Sequence, residues 1–125
     1  MVVDDSKLDL PASPTAAGIA RAFVRRCWSH LESEETIDDV ALCVSELVTN
    51  AIDHAQPPIE LRVHRKRGRL RIEVEDAGVG RPELQPMSTT ARRGRGIFIV
   101  ERIATRWGVE PRNGGKTVWA EFATG

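Results

Sequence analysis

Residues 59–76, IELRVHRKRGRLRIEVED, set Ile59, Leu61 and Val63, then Leu70, Ile72 and Val74, at every second position with polar residues between them. A period of two is the mark of a β-strand with one dry and one wet face. The Lys-Arg-Gly between the two runs is short enough to fold them back as a hairpin. A hairpin cannot bury its dry face against itself, so a second layer must cover it. The preceding segment can do so, because Val40, Val44, Leu47, Val48, Ala51, Ile52 and Ala55 recur at helical spacing.

Other elements follow from local signals. SPTAAGIARAFVRRCWSHL offers Ser13 as an N-cap and Pro14 at the first helical position, with apolar Ile19, Ala22, Phe23 and Leu31, and Gly18 as its weak point. Thr36 can cap the next helix, with Asp38 and Asp39 in its first turn, and the helix should end near Ala55 because Gln-Pro-Pro cannot continue it. From Arg81 to Arg93 the chain is polar and aperiodic, which predicts a loop long enough to act as a lid. GRGIFIVERIATRWG should open a short helix carrying Ile97, Val100, Ile103 and Ala104, and WGVEPRNGGKTVWAEFA should close the chain as a second hairpin. The expected fold is α+β, a two-layer sandwich with helices on one face of a mainly antiparallel sheet. A length of 125 residues predicts one domain, with residues 1–12 as a flexible N-terminus.

With 18 Lys+Arg against 18 Asp+Glu, the chain is not built to coat nucleic acid or an acidic membrane, so any nucleotide must be held by a local site. Cys27 and Cys43 lack both disulfide-scaffold and zinc-ligand spacing. No apolar run approaches the roughly 20 residues that span a bilayer, and a soluble protein of a reducing cytoplasm is expected.

Three segments can carry chemistry. In SELVTNAIDHA, Glu46 and Asn50 stand one helical turn apart, and a rotation of about 100° per residue sets Asp39, Glu46, Asn50 and Asp53 in one stripe opposite the apolar one. Alone, that stripe is what any amphipathic helix shows, and the solvated-face reading takes precedence. DAGVG after a strand serves equally as a turn or as a backbone that a flat ligand can approach, with Asp76 able to accept from an exocyclic amine. GRGIFIV serves as a tight loop or as a helix N-terminus whose N–H groups suit phosphate oxygens, with Arg92, Arg93 and Arg95 nearby.

Taken in order, helical Glu and Asn at i and i+4, strand-Asp-x-Gly-x-Gly, a polar lid and Gly-x-Gly opening a helix resemble the GHKL ATPase superfamily, whose ATP-binding domain has the Bergerat fold. The short chain and the forms ELVTNAIDHA, RGRGIFIV and GGKTVWAEF are most similar to its bacterial anti-sigma factor serine kinases. The resemblance implies ATP and Mg²⁺ as cofactors, with Asn50 on the metal and Glu46 as general base. It also implies Asp76 on the adenine amino group, Gly78 and Gly80 beneath the base, and Thr117 supporting the adenine hydrogen bonds. Residues 81–93 would be the ATP lid, and Gly94, Arg95, Gly96 and Ile97 its phosphate-side end, Ile97 standing where Leu is common. Asp53, His54 and Cys43 read as bystanders, and Trp28, Trp107 and Trp119 as core or edge packing.

The function so implied is an anti-sigma regulatory factor that sequesters a sigma factor and phosphorylates a Ser or Thr of an antagonist protein. Direct nucleic-acid or membrane binding is not expected, and the resemblance allows a homodimer. The alternatives are a GHKL ATPase with another partner and a nucleotide-gated binding module without turnover. A histidine-kinase catalytic domain is disfavoured, since His30 and His54 fall in the domain's own helices and His64 in its hairpin.

Overall fold

The period-two segment folds as its pattern dictates. The computed structural model describes residues 2–54, 58–77, 98–112 and 114–124. In chain order these form β1 (Val2–Leu10), α1 (Ala16–Trp28), α2 (Glu34–His54), β2 (Ile59–Lys66), β3 (Arg69–Asp76), β4 (Arg106–Arg112) and β5 (Gly115–Ala123); residues 98–103 are also helical. The strands make one sheet in the order β1-β2-β3-β5-β4, with every neighbouring pair antiparallel. The α+β sandwich expected from the sequence is therefore present.

The sheet sorts its side chains by parity. Leu61, Val63, Leu70, Ile72, Val74, Val118, Ala120 and Phe122 line the face that meets the helices, and all are buried. They pack against Val40, Val44, Leu47, Val48 and Ala51 of α2 and Ala20, Val24 and Trp28 of α1 in one core. Burying an aliphatic side chain of this size contributes about 1.5–3 kcal/mol. Trp28 is core, as expected, and Trp107 packs against it at half burial.

Among the described residues the opposite face carries no helix, and it is tiled with ion pairs. Arg71 Nη1 donates to Glu121 Oε2 at 2.7 Å and its Nε to Glu73 Oε2 at 2.6 Å. Arg106 reaches the other oxygen of Glu121. The Arg71 guanidinium also lies 4.4 Å from the centroid of the Trp119 ring. The same ring lies close against Gly108, where a Cβ would approach Trp119 Cζ2 to 2.8 Å.

Several boundaries differ from expectation. Residues 1–12 are not a flexible N-terminus: Val2–Leu10 is β1, in register with β2 from Asp4↔Arg65 to Leu10↔Ile59 and shifted between Val2 and Asp4. A ladder is made of backbone hydrogen bonds, so an acidic strand needs only Leu8 and Leu10 to anchor it to the core. The first helix begins at Ala16 with Thr15 as N-cap, after a turn closed by Ala16 N–H donating to the Ser13 carbonyl at 3.0 Å. Its buried stripe is Ala16, Ala20, Phe23, Val24 and Trp28, leaving Ile19 and Leu31 exposed. Ser33, not Thr36, caps α2, its Oγ accepting from the Thr36 N–H at 3.1 Å, with Glu34 and Glu35 in the first turn. The expected lid at 81–93 lies outside the described residues.

Candidate functional site

Chain connectivity brings the C-terminal end of α2 to the edge of the sheet that carries Asp76. The last turns of α2 lead within five residues to Ile59 at the start of β2, Ile59 pairs with Asp76 at the end of β3, and Asp76 pairs with Lys116 at the start of β5. Glu46 and Asn50 lie one turn apart on α2 and both are half-buried. Asp39 and Asp53, on the same stripe, are exposed. The stripe is thus wet at its ends and partly dry in the middle, where an ordinary solvated face would be wet throughout.

That dryness acts on the side chains. Burial pushes the Glu46 carboxyl above its ordinary 4.5, because the charged form loses water. Neighbouring Cys43 is pushed up to about 12, first by burial and then by the charges of Asp39 and Glu46. A thiol held so firmly protonated is inert, which fits a packing role. The side chain of His54 lies outside the described residues.

Asp76 is 3% exposed, and its Oδ2 lies 3.0 Å from the ammonium of Lys116, itself 7% exposed. Gly115 precedes that lysine, and a Cβ there would collide with the Asp76 carbonyl oxygen and crowd Ala77 Cα. Backbone on backbone at this spacing is possible only for glycine.

Thr117 does not join this group. It has the parity of Trp119 and Glu121, so its hydroxyl faces the ion-pair side and accepts from Arg112 Nε at 3.0 Å. Lys116 stands on the Asp76 side instead. The signal was in the sequence: Val118, Ala120 and Phe122 fix the dry face of β5, and position 116 shares their parity. Gly78, Gly80, Gly94, Arg95, Gly96 and Ile97 lie outside the described residues.

Two shallow depressions open at this end of the molecule. One of about 270 Å³ touches Asp76, Ala77, Glu75, Glu60, Pro58, Asp9 and Gly114. A smaller one of about 180 Å³ lies between Ser13, Pro14 and Ala17 of the α1 entrance and Thr49, Ile52 and Asp53 of α2. A larger hollow of about 470 Å³ sits among the ion pairs of the opposite face, away from Glu46, Asn50 and Asp76. Among the described residues no three His, Cys, Asp or Glu side chains gather as a metal cage. A Mg²⁺ carried on phosphate oxygens needs only one or two protein oxygens, and the half-buried Asn50 amide fits that demand. No described helix is long and apolar enough to cross a membrane.

Comparison with known proteins gives this geometry a context. A curated relative, the serine-protein kinase RsbW of Oceanobacillus iheyensis, is 25% identical over 119 residues, covering 80% of this chain and 75% of its own. The crystal structure of the RsbU and RsbW domains of a Mycobacterium tuberculosis protein superposes with a TM-score of 0.75 at 21% identity, over 98% of this chain. The present chain spans 33% of that larger one. The histidine kinase domain of a blue-light activated histidine kinase from Erythrobacter litoralis superposes with a TM-score of 0.59 at 22% identity, over 91% of this chain and 61% of that one. The fold is shared with both solved structures. Matched by the family's model from residue 10 to residue 122, the chain belongs to the histidine kinase-like ATPase domain family.

Proposed function

We propose that this domain binds Mg-ATP where α2, β3 and β5 meet and acts as an anti-sigma regulatory factor. In that role it sequesters a sigma factor and phosphorylates a Ser or Thr of an antagonist protein. The observation that carries the reading is the half-buried Glu46–Asn50 pair on α2, together with the buried Asp76 at the end of β3. The likeness to RsbW, a serine-protein kinase, supports the choice of protein substrate.

Mg-ATP, when bound, supplies the phosphoryl group and the charge that offsets its oxygens. Asn50 offers its amide oxygen to the hard cation. Glu46 accepts the proton of the attacking hydroxyl, and its burial strengthens it as a base relative to a wetted carboxylate. Asp76 accepts a hydrogen bond from the adenine amine. Gly78 and Gly80 let the base lie against the backbone, and Gly94, Arg95, Gly96 and Ile97 form the phosphate side.

Incubation with γ-labelled ATP, a sigma factor and a candidate antagonist tests the reading. Label on the antagonist, lost in Glu46→Gln, is expected. Free phosphate alone would reduce the domain to an ATPase. An unchanged ATP affinity in Asn50→Ala and Asp76→Asn would overturn the site.

A further inference from the structure

We infer that Lys116 is a second base-reading residue, presenting a donor to the ring nitrogen beside the amine that Asp76 holds. The inference rests on the ATP-site reading above and deepens it.

Lysine is almost never buried unless paired, since taking its ammonium out of water is costly. Here the Lys116 side chain is 9% exposed and that of Asp76 is 1% exposed. They meet at the last register pair of β3 and β5, on the helix-covered face, with Nζ 3.0 Å from Oδ2. Gly115 lets β5 approach the Asp76 carbonyl closely, which sets the lysine beside the carboxylate. A counter-ion alone could have been avoided by a neutral residue at 116, at a smaller desolvation cost.

The pair has a definite hydrogen-bonding grammar. An ionised carboxylate only accepts and an ammonium only donates, and the ion pair with Asp76 leaves the ammonium N–H groups to offer elsewhere. The edge of a 6-aminopurine presents an amine donor next to the N1 acceptor. With the amine on Asp76, N1 falls to Lys116. A 6-oxopurine reverses that order, with an acceptor at position 6 and a donor at N1, so the pair selects adenine nucleotides.

The test compares the binding of ATP and 1-deaza-ATP, in which N1 is replaced by C–H, to the full chain and to Lys116→Met. The wild type should prefer ATP by about tenfold or more, the range of a hydrogen bond to a charged donor. Lys116→Met should bind both within about twofold, a levelling that a purely structural lysine would not produce. Lys116→Arg, which keeps a donor, should retain the preference and serves if the Met variant does not fold. Equal affinities for the two nucleotides in the wild type, or an undiminished preference in Lys116→Met, would overturn the inference while leaving the ATP site standing. A wild type that binds neither nucleotide would overturn both.

Discussion

Gly115→Ala separates two opposed effects by sign. The residue does not have a positive φ, so alanine suits its backbone, and a tolerated Gly→Ala exchange stabilises by about 0.4–1 kcal/mol through the unfolded chain. Against this, the added Cβ meets the Asp76 carbonyl oxygen and Ala77 Cα, both backbone atoms that no rotamer change can move. Overpacking of this kind costs about 1–3 kcal/mol, so a net loss of about 1–2 kcal/mol is expected. For a domain of this length that lowers Tm by very roughly 4–8 °C. Urea unfolding should show a lower midpoint at unchanged slope, and ATP affinity should fall because the shift falls on Asp76. The neighbouring Gly114 is the control: its φ is +75° and nothing lies within 4 Å of an added Cβ, so alanine there is strained but should spare nucleotide affinity. A Gly115→Ala variant that melts higher than wild type with undiminished affinity would refute the claim that close approach of β5 builds the site.

Glu46→Gln should lower phosphoryl transfer by about 10²–10⁴-fold. Because the folded-state pKa of Glu46 is raised above 4.5, its ionisation works against folding as pH rises through that value, and below 4.5 the cost is absent. The Gln variant should therefore be at least as stable as wild type at neutral pH, and the acidic limb of the rate profile, displaced above 4.5, should vanish with it. For Glu121, burial raises the pKa, but hydrogen bonds from Arg71 and Arg106 override it and hold the carboxyl below 4.5. That stability is present above the unfolded carboxylate pKa and is lost as pH falls through the folded one, so Glu121→Gln should cost about 1–3 kcal/mol at neutral pH and flatten acid unfolding. Thr117→Val should leave ATP affinity unchanged, since its hydroxyl serves Arg112 on the other face; a large loss would restore Thr117 to the site.

Much of this was legible in the chain because it rests on strict periods. The alternation in 59–76 fixed a hairpin and its dry face, and the apolar spacing from Val40 to Ala51 fixed the helix that covers it. β1 escaped notice because edge pairing is a backbone property and Asp4, Asp5 and Asp9 mask its two anchoring leucines. The half-burial of Glu46 and Asn50 could not be read from a helical wheel, which gives direction but not what the neighbouring elements cover. Thr117 differs again: a family motif carries no strand parity, and parity along β5 sets its hydroxyl on the ion-pair side while Lys116 shares the side of Asp76.

The order β1-β2-β3-β5-β4 carries a kinetic consequence. The strands of the β2–β3 and β4–β5 pairs are separated by only two residues of chain and can zip locally, whereas β3 and β5 join across a long stretch of sequence. Asp76 and Lys116 face each other across that join, so neither hairpin alone holds the pair. A ligand touching both would act as a clasp between two locally folded units. Amide exchange should then slow along 69–76 and 115–123 on adding nucleotide, while the Arg67-Gly68 turn, far from the clasp, keeps the rate it had before.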